Sequence, residues 1–258
     1  MCLIAFAINS HAKYRLVLVA NRDEYRSRGT DAADYWSDAP HLLAGRDRQA
    51  GGTWLGVTTG GKLAAITNYR DARQQAINPP SRGSLVASYL SDNVMTPSEL
   101  QAYLVKNGDR YDGFNLLYGT CSELYCYTNR GGSSGPVKHG IHALSNHLLD
   151  THWPKVVVAK ERLNHLLQNP EPTSEDLISM LSDQEPFAHN QLPDTGIGPE
   201  RERFLSPLFI SGDTYCTRST TVIMVGNDDQ VTFIEQENDT PLPYLQRFTF
   251  QLFPEGLT

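Results

Sequence analysis

MCLIAFAINSHAKYRLVLVANRDEY, residues 1–25, is the stretch on which the fold turns. It holds two short apolar runs, CLIAFAIN (2–9) and RLVLVAN (15–21), separated by the polar turn SHAKY (10–14). Runs of this length bounded by turn residues read as strands, and the spacing predicts a hairpin. Cys2 then stands at the open end of the hairpin. The polar cluster Asn21-Arg22-Asp23-Glu24, which closes the second strand, lies near it.

Cys2 has four readings: a buried strand residue, a lipid attachment point, a metal ligand or a catalytic nucleophile. The opening run has no positively charged start, is broken by Asn9, Ser10, His11 and Lys13, and shows no small-residue cleavage site. It is therefore not expected to act as a secretory signal, and Cys2 is too near the start to be a processed lipoprotein cysteine. The chain has 258 residues, 40% hydrophobic and 20% charged, enough for a sizeable core. Its 29 acidic residues outnumber 22 Lys and Arg, for a net charge of -7. That balance argues against a nucleic-acid or anionic-membrane partner. No apolar stretch approaches the roughly 20 residues that span a bilayer. A cytoplasmic protein with reduced cysteines is expected. Cys121 and Cys126 lie in TCSELYC without a second pair, so no metal site is expected. Those two and Cys216 read as structural.

GGTWLGVTTGGKLAAITN (51–68) repeats the hairpin pattern around Gly60-Gly61. A helix is expected within SLVASYLSDN (84–93), and another from Thr96, with Pro97 at its first position and Glu99 completing a capping box. Strands are expected at GFNLLYG (113–119), ELYCYTN (123–129) and VKHGIHALSN (137–146). Helices follow in WPKVVVAKERLNHLLQ (153–168) and TSEDLISMLSD (173–183), the latter opened by Thr173. The chain returns to strands at TYCTRSTTVIMV (214–225), QVTFIEQ (230–236) and LQRFTFQLF (245–253), with turns at GNDDQ and at Pro241 and Pro243. Neither a repeat nor a linker separates these pieces, so one domain over 1–258 is expected, α+β and mostly antiparallel, with two sheets between helical layers. Residues 183–212 show little periodicity and are expected to form a lid bordering the ligand cleft.

Removal of Met1 would leave Cys2 with both a thiol and an α-amino group, a nucleophile and base on one residue. Arg22 favours a thiolate and Asp23 can anchor an ammonium group. Asn68, ending KLAAITN, and Asn146, ending HALSN, are neutral donors suited to an oxyanion. Arg218, at the start of an apolar strand, requires a carboxylate partner or another explanation.

The ordered set MCLIAFA, NRDE, GGTWLGV, ITNYRD, LSN…WPK and TRSTTVIMV resembles the NRDE family, also called the transport-and-Golgi-organisation-two family. That family in turn resembles the N-terminal-nucleophile hydrolases, in particular the bile-salt hydrolase and penicillin V acylase branch. The resemblance implies a four-layer αββα sandwich, with Cys2 as nucleophile, Arg22 and Asp23 tuning it, Asn68 and Asn146 at the oxyanion, and Arg218 as a late arginine. Arg22 and Asp23 are adjacent here, whereas the hydrolases separate the two by two residues. Two functions follow from the resemblance. One is hydrolysis of an amide or thioester with no cofactor. The other is a carrier for haem, acyl-coenzyme A or an N-acyl compound in the same cleft. The chain has no C-x-x-C-H motif, and His139, His142 and His147 read as structural.

Overall fold

The computed structural model describes residues 2–74, 76–132, 134–240 and 244–253. Met1, whose removal the expected chemistry needs, lies outside them, as does the turn expected at Pro241 and Pro243. The opening hairpin forms as β1 (Cys2–Ile8) and β2 (Tyr14–Tyr25). These strands sit inside a six-stranded sheet with β10 (Gly140–Leu144), β11 (Tyr215–Gly226), β12 (Gln230–Glu237) and β13 (Tyr244–Gln251), in the order β10-β1-β2-β11-β12-β13. The second sheet runs in chain order from β3 (Thr30–Trp36) and β4 (Ala39–Asp47) through β5 (Leu55–Thr58), β6 (Lys62–Asn68), β7 (Phe114–Thr120), β8 (Leu124–Thr128) and β9 (Gly135–Pro136). Every pairing among the described residues is antiparallel.

Strand alternation divides the apolar residues into three layers. Ile4, Phe6, Leu16 and Leu18 meet Leu43, Val57, Leu63 and Leu117 between the sheets. Leu3, Ala5, Val17 and Val19 face the other way, onto Trp153, Val156, Ala159 and Leu163 of the segment carrying α3 (Pro154–Leu166) and onto Leu177 of α4 (Ser174–Ser179). The second sheet turns Leu42, Ala64, Leu116 and Tyr118 to α1 (Gly83–Ser91) and α2 (Pro97–Asn107). The result is helix, sheet, sheet, helix, which is the expected αββα order. Thr96 caps α2 as expected, accepting the Glu99 N–H at 3.2 Å, while Glu99 accepts the Thr96 N–H at 2.7 Å.

Two segments differ from the sequence expectations. The pair β3 and β4 was not foreseen. The outer strand β3 reads TDAADYW with mostly polar or exposed positions, so it carries no apolar periodicity, and its place is set by pairing with β4. Residues 183–212 are not a lid over the site. They pack beside α3 and β11 and contain a short helix, α5 (Pro199–Phe204). The Asn21 amide donates to Leu181 O and Leu208 O, the Lys155 ammonium donates to Leu205 O, and the Phe209 N–H donates to Asp183 O. A buried ion pair at 3.2 Å joins Glu202 to Arg70, and Glu202 also accepts the Thr195 N–H and hydroxyl. Buried carbonyls and charges need such partners, so this segment is held by polar bonds and not by a periodic apolar face.

Removing one member of a buried pair leaves its partner uncompensated. Glu202→Gln should therefore lower unfolding stability by about 3–5 kcal/mol. Denaturant titration checks this, and a loss below about 1 kcal/mol would show that the Arg70 contact carries little of the packing.

Candidate active site

The register of the opening hairpin builds the site. Cys2 pairs with Arg22, and both belong to the set of even-numbered positions that face the space between the sheets. Asp23 alternates to the opposite face, toward α3. There its carboxylate accepts the Thr217 hydroxyl at 2.7 Å and lies in the field of the buried Lys155 ammonium. The two neighbours thus divide: Arg22 shares the face of the thiol, while Asp23 anchors the sheet end from behind. The backbone N–H of Asp23 still reaches the Cys2 sulfur.

Cys2, Arg22, Asp23 and Asn68 line one cavity of about 440 Å³. Trp54 and Arg82 form part of the opposite wall. Asn68 ends β6, and its side-chain amide forms no hydrogen bond among the described residues, so it is available to a ligand oxygen. Asn146 is not on this wall. Fully buried, it donates from Nδ2 to Asn68 O at 3.1 Å and accepts the Arg70 N–H on its carbonyl at 2.7 Å. It spans the gap between the two sheets and fixes Asn68 from behind. Thr67 makes a parallel crossing, its hydroxyl donating to Ser145 O at 2.6 Å.

Arg218 is also away from the thiol. It occupies a bulge of β11, where the register with β2 shifts between Thr217 and Ser219. Its Nη1 donates to the carbonyls of Tyr25, Arg26 and Arg28, and its Nε pairs with Asp239 at 2.8 Å. The charge in an apolar strand is explained by that grip on the turn after β2.

Burial dominates the electrostatics. It pushes the Cys2 thiol up to about 11, against the smaller opposing pull of Arg22 and of the Asp23 N–H. Burial likewise pushes Asp23 above the usual carboxylate range, and it lowers Lys155 to about 8. Lys155 is 2% exposed and belongs to a buried group with Asp23, Arg70 and Glu202 beneath the site. Sequence reasoning took WPK only as a family landmark; the signal in it was a lysine in the first turn of an apolar helix. Arg82 was missed entirely, since a serine-arginine-glycine run after two prolines reads as an ordinary turn. Of the histidines, His142 bonds Asp150 at 2.7 Å and Lys138 O at 2.9 Å, while His147 bonds Thr151. Neither they nor His139 line the Cys2 cavity, so its wall offers no imidazole to a haem iron.

The fold is that of the N-terminal-nucleophile hydrolases. Among solved structures, a variant of the conjugated bile acid hydrolase of Clostridium perfringens superimposes with a TM-score of 0.51 over 97% of each chain, at 7% identity. The family model "Transport and Golgi organisation 2" matches residues 1–240, and the chain belongs to that family. It is 34% identical to the Transport and Golgi organization 2 homolog of Mus musculus over 257 residues, 92% of each chain. It is also 34% identical to the Homo sapiens homolog over 273 residues, 97% of this chain and 98% of that one. The relative in Drosophila melanogaster is 26% identical over 92% of each.

A thiol held near 11 is mostly protonated at neutral pH, and its thiolate fraction rises with pH. With Met1 in place, alkylation of Cys2 should climb about tenfold per unit from about pH 7 to about pH 10. It should outpace Cys121 and Cys126, which burial pushes to about 12. Peptide mapping after timed iodoacetamide treatment checks both statements. A plateau already near neutral pH would show that the surroundings favour the thiolate.

Proposed function

We propose that the protein is a small-molecule hydrolase of the cysteine N-terminal-nucleophile type, acting on an amide or thioester in a cytoplasmic setting without a nucleic-acid partner. The observation that carries this reading is that the Cys2 thiol and the uncommitted Asn68 amide line one cavity. Once Met1 is removed, the α-amino group takes the thiol proton and Sγ attacks the carbonyl carbon. The C=O pair moves onto oxygen, where the Asn68 N–H donates to the developing charge. Collapse breaks the C–N or C–S bond, and the proton passes to the departing amine or thiol. Water then adds to the acyl-enzyme, releasing a carboxylic acid and restoring the thiol.

Asn146 and Arg218 serve this chemistry at one remove, by fixing Asn68 and the turn after β2. Asp23 and Lys155 hold the sheet end that carries the α-amino group. Catalysis on this scheme needs no metal or cofactor. The second reading, a carrier of haem or acyl-coenzyme A in the same cavity, rests on the family association. The missing imidazole and the charged wall disfavour haem in this cavity.

Cys2→Ala separates the two. Alanine fills the strand position while removing the sulfur, so turnover of N-acyl amino acids and acyl thioesters should fall by at least about 10³-fold. Intact mass should show an acyl adduct on the unmodified protein only. No turnover by either protein, with haem or acyl-coenzyme A bound equally by both, would leave the carrier reading in place of the hydrolase.

A further inference from the structure

The cavity in front of Cys2 has an electrostatic feature that the hydrolytic scheme does not use. Arg22 is only 7% exposed, yet its guanidinium forms neither a hydrogen bond nor an ion pair among the described residues. Burying an unpaired cation is costly, and such groups are ordinarily matched by a carboxylate. Here the nearby carboxylates are committed elsewhere. Glu235 accepts the Ala33 N–H at 2.6 Å, and Asp47 pairs with Arg28 at 2.6 Å while accepting the Gln49 and Ala50 N–H groups. Glu24 accepts the N–H of Tyr25, and Asp112 that of Ala76.

The opposite wall carries a second cation, Arg82, with the Asp112 carboxylate beside it. α1 begins there, with Arg82 and Gly83 on the cavity, no side-chain cap and no acidic residue in its first turn. The positive end of a nine-residue helix thus faces the cavity without a carboxylate of its own, its Ser84 and Leu85 N–H groups donating back to Ser81 O and Arg82 O. Arg82 spends Nη1 on Gly113 O at 2.9 Å and sits close enough to Cys2 to feel its charge. The backbone comes unusually near at this wall. A Cβ on Gly52 would lie 2.6 Å from the Gly83 carbonyl carbon, so no side chain intrudes between the loop after β4 and the start of α1.

We infer that Arg22, Arg82 and the N-terminus of α1 form an anion subsite beside Cys2, which selects ligands carrying a carboxylate or phosphate group next to the carbonyl that Cys2 would attack. The inference deepens the hydrolase reading by naming its ligand class, but the subsite itself requires no turnover. A planar guanidinium offers paired donors matched to either anion, and one on each wall holds the group from two sides. Neutral amides of the same size lack that contact and bind correspondingly less well.

Two measurements on the full chain test the subsite. Calorimetric titration with inorganic pyrophosphate and, separately, with N-acetylglycine reports binding without any chemistry, and distinguishes phosphate from carboxylate. N-acetylglycinamide is the neutral control. At least one anion should bind, the neutral amide at least about tenfold more weakly, and Arg82→Met should weaken the anion by about tenfold or more. Arg48→Met, which removes a solvent-exposed arginine paired with Asp31, should leave binding unchanged. The second measurement is the rate of Cys2 alkylation by iodoacetate relative to iodoacetamide. Arg22→Met and Arg82→Met should each lower that ratio, with thermal melts confirming that the variants are folded. Anion binding with an inert Cys2 would keep the subsite and remove the hydrolase. Alkylation by both reagents without preference, together with no anion binding, would remove the subsite and keep the nucleophile. Binding undiminished in Arg82→Met would overturn the assignment.

Discussion

The register of β1 on β2 is the constraint from which the remainder follows. Because Cys2 lies opposite Arg22, every even position of β1 faces the space between the sheets, and every odd one faces the helices. A slip of one residue would carry Ile4 and Phe6 out of the central core and turn the thiol toward α3. Burial of both faces makes that slip expensive, since fully burying one such side chain is worth about 1.5–3 kcal/mol. The position of the sulfur is therefore set by the hydrophobic core and not by the polar residues around it.

At the end of this hairpin the apolar core gives way to polar contacts. Thr67 to Ser145, Asn146 to Asn68 and Arg70 to Asn146 cross from one sheet to the other within a few residues. Beneath them lies the buried group of Lys155, Asp23, Arg70 and Glu202. Dispersion holds two sheets together without fixing their lateral offset, whereas directional bonds between named atoms fix it. The cavity keeps its shape because its two walls, one from each sheet, are bonded directly behind the site.

Much of this was legible in the chain itself. The hairpins, the capping box at Thr96 and the helix after Trp153 all announce themselves by local spacing. So did the association of Cys2 with Arg22, since a short turn leaves a hairpin few registers. What the sequence did not disclose depends on distant pairing. The outer strand β3 is polar because it lies at an edge, and residues 183–212 read as loose because their anchors are single side chains far away in sequence. Asn146 and Arg218 are prominent in the motif, but their side chains bond carbonyls and do not line the Cys2 cavity. Side-chain chemistry marks a residue as important without saying whether it meets a ligand or its own backbone. Arg82 had no local signature at all, because its meaning comes only from the wall that it faces.

Arg218 is also a mechanical element. One guanidinium grips three carbonyls of the turn that leaves β2, and its partner Asp239 also pairs with Arg26. One of the chain crossings between the two sheets passes through this turn, from Tyr25 to Thr30. It is therefore not a hinge but a clasp, and the two layers cannot swing apart about it while the bulge in β11 persists. The other crossing, from β9 to β10, takes only residues 137–139, so the sheets are tied at that edge as well. For protein engineering the corollary is that insertions belong in the SHAKY turn at the opposite end of the hairpin, well away from the thiol.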